Sequence, residues 1–344
     1  MDILTRLSPK TGYSTTQLQF ILSAWVLSKL GERKKKISVA NGDVSEADYN
    51  KGSIYSLLYS LYSSVGTVRS ETGEPYELTF NTWGYAWPKE WGTNPTCGPH
   101  DPQRFGKNAY TGLYHSEKVQ EYVKARDGKI HIVELGCGTG AGAHHVASKV
   151  FPQCTYEAVD MQLAGIETCR RKFVPELGGR LVATHADATK LNVRDESADI
   201  VAVCETHVTE RTGVCTPEDQ RFFQTMYRVL KKGGFFVWGN AIPDPTWKPC
   251  YEYLESLGMK MVEEHDVTKL AVQARDEDKG RVDAYVDHCL RKFFGFRIPV
   301  IGNQRAQEAR MAMENFYRNP GTNLYRNMTD GTDSYKVGRC TWRC

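Results

Sequence analysis

A glycine-rich loop between a predicted strand and a predicted helix constrains the fold of this chain more than any other feature. The loop is Glu134–Gly140, the strand His131–Leu135 runs into it, and a helical pattern covers residues 141–150. Glycine lets the backbone turn tightly and lets a ligand come close without meeting a Cβ atom. A helix that begins directly after such a loop presents its N–H groups to a nucleotide-like ligand. The pattern predicts an α/β fold with a ligand-binding edge at this loop.

Strands and helices alternate along residues 129–240. The predicted strands are 131–135, 155–160, 181–185, 198–203 and 235–238, and the predicted helices are 141–150, 161–173 and 218–230. This repeated strand–helix–strand order predicts a parallel sheet with helices on both faces. In such a sheet the ligand binds at the carboxyl ends of the strands.

The segments on either side of this core have a different character. Residues 1–70 have helical periodicity, whereas Glu71–Gly112 are rich in Trp, Gly and Pro and indicate an ordered loop over a cleft. After Pro249, a long charged helix near residues 275–295 precedes a hairpin-like tail, Leu324–Trp342. We expect three parts: an N-terminal helical region with an aromatic cap loop (1–112), a ligand-binding core (113–245) and a C-terminal, substrate-side segment that completes the sheet (246–344).

The charge and the cysteine content exclude several classes of protein. A net charge of +3 over 344 residues is too small for a dedicated nucleic-acid binder, so no nucleic-acid partner is expected. The apolar run Phe20–Leu27 is far shorter than the roughly 20 residues of a membrane-spanning helix, and Arg33–Lys36 leaves only a peripheral membrane contact open. Ten cysteines without a CxxC pair predict no metal site and reduced thiols, which are typical of a cytoplasmic protein.

The glycine loop alone does not identify the ligand. Gly136, Gly138 and Ala141 also satisfy the relaxed dinucleotide fingerprint, with Asp160 where a ribose-binding acid is expected. Asp160 ends the second strand, where it can accept hydrogen bonds from both ribose hydroxyls. Asp187 follows the third strand, where a carboxylate can accept from an adenine amine. On the loop alone, a nicotinamide-dependent dehydrogenase therefore stays open.

The ordered motifs of this chain resemble those of the class I S-adenosylmethionine-dependent methyltransferases, in the branch that acts on sterols and quinones. The segments that carry the resemblance are Glu134–Gly140, Val159–Asp160, His185–Ala188 and Arg228–Gly234. The resemblance covers roughly residues 110–240. It implies a Rossmann-like class I sheet and S-adenosyl-L-methionine as the cofactor.

A narrower resemblance is to the phthiotriol/phenolphthiocerol dimycocerosate O-methyltransferase family, whose members methylate a hydroxyl of a long lipid or polyketide. It is carried by Thr82–Ala86, Asn108–Tyr114, Gln162–Arg171 and Asn327–Tyr335. The resemblance departs near Thr209–Pro217, where this chain carries extra residues. That departure leaves the identity of the substrate open.

The resemblance also assigns the residues that would bind the cofactor. Those assigned to its amino-acid half are Glu134, Gly136, Cys137, Gly138, Thr139 and Gly140. Asp160 and Met161 are assigned to the ribose and the adenine face, and Asp187 with Ala188 to the adenine edge. Glu205 is a further predicted cofactor contact.

Methyl transfer to an alcohol is an in-line displacement in which a general base helps to remove the proton of the alcohol. His207, just past the fourth strand, is the first candidate for this base because histidine is tuned to neutral pH. A structural hydrogen-bonding role for His207 is the alternative, and Glu205 can orient it or act alone. The predicted substrate pocket is aromatic, unless its rings form only a tight loop core. Its residues are Phe80, Trp83, Tyr85, Tyr110 and Tyr114.

We expect a methyltransferase that acts on a small-molecule acceptor, at a hydroxyl of a lipid-like or polyketide-like metabolite. The first alternative keeps the cofactor and changes the acceptor atom to carbon, as in sterol or quinone methylation, or to sulfur or nitrogen. Alternatives from other classes are an NAD-dependent dehydrogenase and a cofactor-binding pseudoenzyme whose aromatic cap binds a partner protein. The oligomeric state stays open, with a homodimer among the options.

Overall fold

The computed structural model describes residues 66–70, 73–206, 213–294, 310–311 and 313–342. For residues 292–294 it describes the backbone alone. Its nine strands are β1 Thr67–Arg69, β2 Pro75–Glu77, β3 His131–Leu135, β4 Thr155–Asp160, β5 Leu181–His185, β6 Ala198–Cys204, β7 Leu230–Pro243, β8 Met259–Asp266 and β9 Asp333–Trp342. Strands β3 to β9 form one sheet in the order β5-β4-β3-β6-β7-β9-β8. The strands from β3 to β7 run parallel, and β9 is antiparallel to both of its neighbours.

The helices lie on both faces of this sheet. They are α1 Arg104–Leu113, α2 Glu117–Lys124, α3 Ala141–His145 with a π-helical turn at Val146–Val150, α4 Leu163–Lys172, α5 Pro217–Val229, α6 Asp244–Ser256, α7 Thr268–Phe294 and α8 Asn323–Thr329. Helices α1 to α4 contribute to the core on one face, and α5 and α6 to the core on the other face. The predicted α/β fold class, a Rossmann-like sheet with helices on both faces, is confirmed.

The central strand β6 shows why the sequence forms this fold. All seven of its residues are buried, as expected for a parallel strand that is covered on both faces. Ile200 and Ala202 belong to the core beside α1, and Val201 and Val203 belong to the opposite core. The alternation follows from the two-residue period of a strand, which sends successive side chains to opposite faces.

The described residues divide into two compact units. Thr79–Arg275, together with the residues from Asn327 onwards, forms the unit that contains the seven-stranded sheet. The other unit contains the described residues up to Leu78 and those within Asp276–Arg326. In it β1 and β2 pair as an antiparallel hairpin. The expected domain boundaries at residues 112 and 245 stay a prediction.

Three expectations about the flanking segments need correction. The region expected to be helical up to residue 70 contains the strand β1, and its first 65 residues, with Phe20–Leu27 and Arg33–Lys36, lie outside the described residues. The segment expected to be an irregular loop contains the helix α1. The prediction of a hairpin-like tail is wrong, because these residues form α8 and then a single strand. That strand pairs with β7 and β8 rather than with itself.

The length and the apolar character of the described helices decide whether one of them can span a membrane. None of them combines the length and the apolar character that crossing a membrane requires. Helix α7 is the longest of them, with 27 residues, and its sequence carries charged residues along its whole length.

Candidate active site

The glycine loop turns between β3 and α3 through three residues in the left-handed region. Gly136, Gly138 and Gly140 have φ values of 85°, 57° and 80°, which side chains with a Cβ atom rarely adopt. The N–H groups of Gly136 and Cys137 donate to the carbonyl of Val159 at 2.7 Å and 2.9 Å. The loop is therefore fastened to the end of the neighbouring strand β4.

Neighbouring protein side chains leave no room for a Cβ atom at two glycines of this loop. A Cβ atom on Gly136 would lie 1.9 Å from Cγ2 of Thr206, and one on Gly140 would lie 2.2 Å from Sγ of Cys169. The Thr206 hydroxyl also donates to the Gly136 carbonyl at 2.8 Å. Thr206 thus joins the end of β6 to the glycine loop. The sequence motifs did not point to this residue, because its partner lies 70 residues away.

Glu134 lies beneath the loop with none of its surface exposed. The hydroxyl of Tyr110 donates to its Oε1 at 2.8 Å, and the hydroxyl of Tyr156 donates to its Oε2 at 3.1 Å. Burial raises the pKa of the Glu134 carboxyl to about 7, although both tyrosine hydrogen bonds act to lower that pKa. Because the carboxylate is enclosed by protein, it supports the loop from below and does not face solvent.

A glycine in α3 makes room for the tyrosine that holds Glu134. A Cβ atom on Gly142 would lie 1.8 Å from Cζ of the Tyr110 ring. At Tyr114, just past the end of α1, the side-chain hydroxyl lies 3.4 Å from the Tyr156 hydroxyl. The four side chains Tyr110, Glu134, Tyr156 and Tyr114 therefore form one buried polar chain under the loop.

Asp160 closes the loop from the side of β4. Its Oδ2 accepts from the N–H of Gly138 at 2.8 Å, and its Oδ1 accepts from the N–H of Gln162 at 2.7 Å. Burial raises the pKa of the Asp160 carboxyl to about 6. Each carboxylate oxygen retains a second lone pair, which is the acceptor that a ribose hydroxyl needs.

Met161 and Asp187 lie at the same edge of the sheet and are accessible. The register pairs Asp160 on β4 with His185 on β5, so the ends of these two strands are adjacent. Met161 is 46% exposed, and the side chain of Asp187 is 42% exposed. The Asp187 Oδ1 accepts from the N–H of Thr189 at 2.8 Å and so begins a short 3-10 helix at Ala188.

Residues Thr79–Ala86, here called the strap, hold most of the predicted aromatic pocket residues. Side chains of the core bind the strap backbone at both ends. The Thr139 hydroxyl of the glycine loop donates to the Thr79 carbonyl at 2.7 Å, and the Asn108 amide donates to the Tyr85 carbonyl at 2.9 Å. The N–H of Ala86 donates to the carbonyl of Leu270 at 3.0 Å. The strap is thus attached to the glycine loop, to α1 and to α7.

Glu205 binds the middle of the strap. Its Oε2 accepts from the N–H of Trp83 and its Oε1 from the N–H of Gly84, both at 2.8 Å. The hydroxyl of Tyr335 on β9 also donates to Oε1 at 2.8 Å. Both oxygens of the predicted base or cofactor contact are therefore engaged by the protein itself.

The predicted aromatic pocket is mostly core in this structure. Tyr85 and Tyr114 have no exposed surface, and Phe80 and Tyr110 are buried as well. Only Trp83 is partly exposed. The arrangement favours the alternative in which these rings form a tight loop core. The predicted base His207 lies outside the described residues.

Comparison with known proteins identifies the reaction class. Residues 132–234, which include the glycine loop, Asp160 and Asp187, match the family of methyltransferase domains. This chain is an S-adenosylmethionine-dependent methyltransferase. The domain match begins in β3 and ends within β7, so it covers nearly all of β3, all of β4, β5 and β6, and the helices between them.

The methyltransferase is similar to curated relatives over a longer stretch. It is 24% identical to the phthiotriol/phenolphthiotriol dimycocerosates methyltransferase of Mycobacterium tuberculosis over 261 residues, which are 76% of this chain and 84% of that protein. It is 28% identical to the fatty-acid O-methyltransferase of Mycolicibacterium smegmatis over 179 residues, 51% of this chain and 59% of that protein. Among solved structures, the 4+2 cyclase SpnF superposes with a TM-score of 0.53 at 15% identity, covering 83% of this chain and 92% of that one. This last likeness shows the fold alone.

The residues of the loop fit S-adenosylmethionine. Glycines line the turn, and burial raises the pKa of both nearby carboxyls, Glu134 and Asp160. Positive charge close to such carboxyls stabilises their ionised form. The sulfonium and ammonium groups of the cofactor carry that charge. Asp160 and the accessible Asp187 lie at the ends of the adjacent strands β4 and β5, at the edge where open α/β sheets bind ligands.

Proposed function

We propose that this methyltransferase transfers the methyl group to an oxygen atom of a lipid-like or polyketide-like small molecule. The observation that carries the proposal is the length of the similarity to the dimycocerosate relative. It extends over 261 residues, whereas the domain match ends at residue 234. The similarity therefore includes segments outside the cofactor-binding core. The second relative, a fatty-acid O-methyltransferase, supports oxygen as the acceptor atom.

The chain's own residues would hold the cofactor from three sides. When bound, S-adenosylmethionine supplies an electrophilic methyl group on a sulfonium. Gly136 to Gly140 offer their backbone to its amino-acid half, and Asp160 offers acceptors to its ribose. Met161 and Asp187, both accessible, offer contacts to the adenine. Glu134 supports the loop from beneath through Tyr110 and Tyr156.

Removal of the acceptor proton is assigned to His207. A neutral imidazole accepts a proton near physiological pH, and a base of this kind typically contributes 10²- to 10⁴-fold to a rate. Glu205, two residues earlier, has both oxygens engaged by Trp83, Gly84 and Tyr335. That arrangement supports His207 over Glu205 as the base.

The strap is proposed to keep water away from the transferring methyl group. Its backbone is bound by Thr139, Glu205 and Asn108, and its rings Phe80 and Tyr85 are buried. Exclusion of water favours methyl transfer because it removes the competing solvation of the acceptor oxygen. The partly exposed Trp83 is the strap residue placed to meet an apolar acceptor.

Several expectations stay predictions. Carbon, sulfur or nitrogen as the acceptor atom stays an alternative that no observation favours. A dehydrogenase loses its support, because the loop on which it rested belongs to the methyltransferase domain match. A cytoplasmic location, a peripheral membrane contact and the oligomeric state are untested.

Transfer of an isotopically labelled methyl group tests the proposal. The enzyme is incubated with S-adenosylmethionine that carries a trideuterated methyl group and with a fatty acid, a long-chain secondary alcohol, a phenolic polyketide, a quinol precursor and a long-chain amine. We expect label on oxygen in one or more of the first three, as found by mass spectrometry. Label on carbon or nitrogen, or no product although the cofactor binds, would overturn the proposal. Gly140→Ala is the control, because its Cβ atom would collide with Cys169.

A further inference from the structure

One carboxylate joins three segments that are far apart in the sequence. Glu205 follows the last residue of β6, Trp83 and Gly84 belong to the strap, and Tyr335 belongs to β9. Three donors from the strap and β9, at 2.8 Å each, meet the two oxygens of this carboxylate. A carboxylate has two acceptor oxygens in a fixed plane, so this set of donors also fixes its orientation.

The backbone of Glu205 is held in an unusual conformation next to the glycine loop. Its φ of 50° is left-handed, which is unfavourable for a residue with a long side chain and persists where the surroundings enforce it. The N–H of Glu205 donates to the carbonyl of Gly239 at 2.7 Å. The following residue, Thr206, donates to Gly136 at 2.8 Å. Strain of this kind is found where the direction of a side chain serves a function.

The geometry therefore connects the C-terminal strand to the strap through one hydroxyl. We infer that Tyr335 and Glu205 act as a positioning pair, in which the Tyr335 hydroxyl orients the Glu205 carboxylate and that carboxylate holds the Trp83–Gly84 backbone in place for acceptor binding. This inference rests on the proposed function in one respect, namely that the strap lies on the acceptor side. The pair contributes no proton transfer. Its effect is on where the acceptor binds.

Two variants probe the pair. Tyr335→Phe removes the hydroxyl and keeps the ring, which packs against the Tyr85 ring with centroids 5.4 Å apart. Glu205→Gln keeps the size of the side chain but replaces one acceptor oxygen with an NH₂ group. That group would face a backbone N–H and leave it without an acceptor.

The chain offers a matched control at the other end of the same strand. The Tyr122 hydroxyl donates to Oδ1 of Asp199 at 3.1 Å, and Asp199 is the second residue of β6. At about 3.3 Å per residue, this pair lies roughly 20 Å from Glu205. Tyr122→Phe therefore removes the same kind of tyrosine–carboxylate bond at a distance from the glycine loop.

Amide hydrogen exchange measures how firmly the strap is held, and steady-state kinetics measure acceptor binding. In the cofactor-bound enzyme without acceptor, amide exchange of peptides that cover residues 79–86 should become about tenfold faster in Tyr335→Phe, the order expected when a hydrogen bond to a charged group is lost. KM for the acceptor should rise about tenfold and kcat should change less, while the Kd for S-adenosylmethionine stays within about twofold. Glu205→Gln should show the same pattern more strongly. Tyr122→Phe should change neither the exchange nor KM.

Two results would overturn the inference. One is unchanged exchange across residues 79–86 in a folded Tyr335→Phe protein, or in Glu205→Gln if the tyrosine variant does not fold. The other is a Glu205→Gln enzyme that loses kcat at an unchanged KM and loses the acidic limb of its pH profile, which would make Glu205 the base. Failure of the proposed function appears separately, because the exchange measurement needs no acceptor and labelling of the wild-type enzyme shows which atom is methylated.

Discussion

Replacement of Gly142 by alanine tests the packing beneath the glycine loop. In the interior of a helix this change ordinarily stabilises a protein by about 0.5 to 1 kcal/mol, because alanine restricts the unfolded chain and favours the helix. Here the new Cβ atom would lie 1.8 Å from Cζ and 2.0 Å from Cε1 of Tyr110. The ring must move away, and its hydroxyl then loses Glu134, from which it is 2.8 Å distant.

The expected result is a loss of stability despite the better helix former. Forcing extra volume into a packed core costs about 1 to 3 kcal/mol, and a lost hydrogen bond to a carboxylate costs about 1.5 to 3 kcal/mol. After subtraction of the helical gain, Gly142→Ala should be destabilised by about 1.5 to 5.5 kcal/mol. For a chain of 344 residues, that corresponds to a Tm lower by roughly 2 to 8 °C.

Thermal unfolding followed by circular dichroism measures this difference. Gly98→Ala is the control, because a Cβ atom there would meet no atom within 4 Å, and its Tm should stay within about 1 °C. In a Tyr110→Ala background the clash is absent, so Gly142→Ala should no longer destabilise, and the two changes should be non-additive. A higher Tm for the single Gly142→Ala variant, or strict additivity with Tyr110→Ala, would refute the reasoning.

Two further predictions concern charge and proton transfer. The pKa of Glu134 is about 7 in the folded protein against an ordinary value of 4.5, so its contribution to stability is complete below pH 4.5 and is lost as the pH rises through 7. Glu134→Gln should remove this pH dependence, which is on the order of 3 kcal/mol, from the cofactor-free protein in urea unfolding at pH 4.5 and 8. An equal pH dependence in the variant would contradict the assignment. His207→Ala should lower turnover by about 10²-fold or more while the Kd for S-adenosylmethionine changes only a few-fold, and near-normal turnover would remove His207 from the mechanism.

Three of the parallel strands could be predicted from the sequence to the residue. The expected bounds of β3, β4 and β5 are those of the structure. β3 and β4 are mostly buried and β5 alternates between buried and exposed residues. Both patterns are local, and turn residues mark the ends of the strands. The helix expected at 161–173 begins and ends one or two residues inside those bounds, as Leu163–Lys172.

The last strand could not be predicted in the same way. Its sequence, Asp333–Trp342, alternates as a hairpin strand would, but its partners are β7 and β8. Pairing of this kind is decided by which edge of the sheet is available. Which edge is available depends on how the other strands have assembled, and the residues next to β9 in the sequence do not contain that information.

The site shows the same division between local and distant information. The glycines, Asp160 and Asp187 could be located because the motif that carries them is contiguous with the strand ends. The hydrogen-bond partners of Glu205 could not be predicted from the sequence, since its donor Tyr335 lies 130 residues away. The sequence pattern predicts Tyr110 and Tyr114 as pocket walls, because an aromatic residue has the same appearance in a pocket and in a core. The partners Glu134 and Tyr156 distinguish the two cases, and only the fold supplies them.

The position of β9 inside the sheet has a consequence for how the protein is made. β8 reaches the sheet only through β9, and residues 267–332 must be synthesised between them. At about 5 to 20 residues per second, the ribosome needs roughly 4 to 15 s to deliver the chain from the end of β8 to Trp342. During that interval, the edge of β7 from Phe235 to Pro243, which later pairs with β9, has unpaired backbone groups.

Such an edge is a template for association with other chains. The nascent protein therefore passes through a stage in which its cofactor loop can already form while its sheet is still open. Closure comes late, when Arg339 of β9 brings its guanidinium to the carbonyls of Gly112 and Leu113 at the end of α1. A chain released before Asp333 would keep the open edge permanently, and its fate would be aggregation or degradation rather than a shortened enzyme.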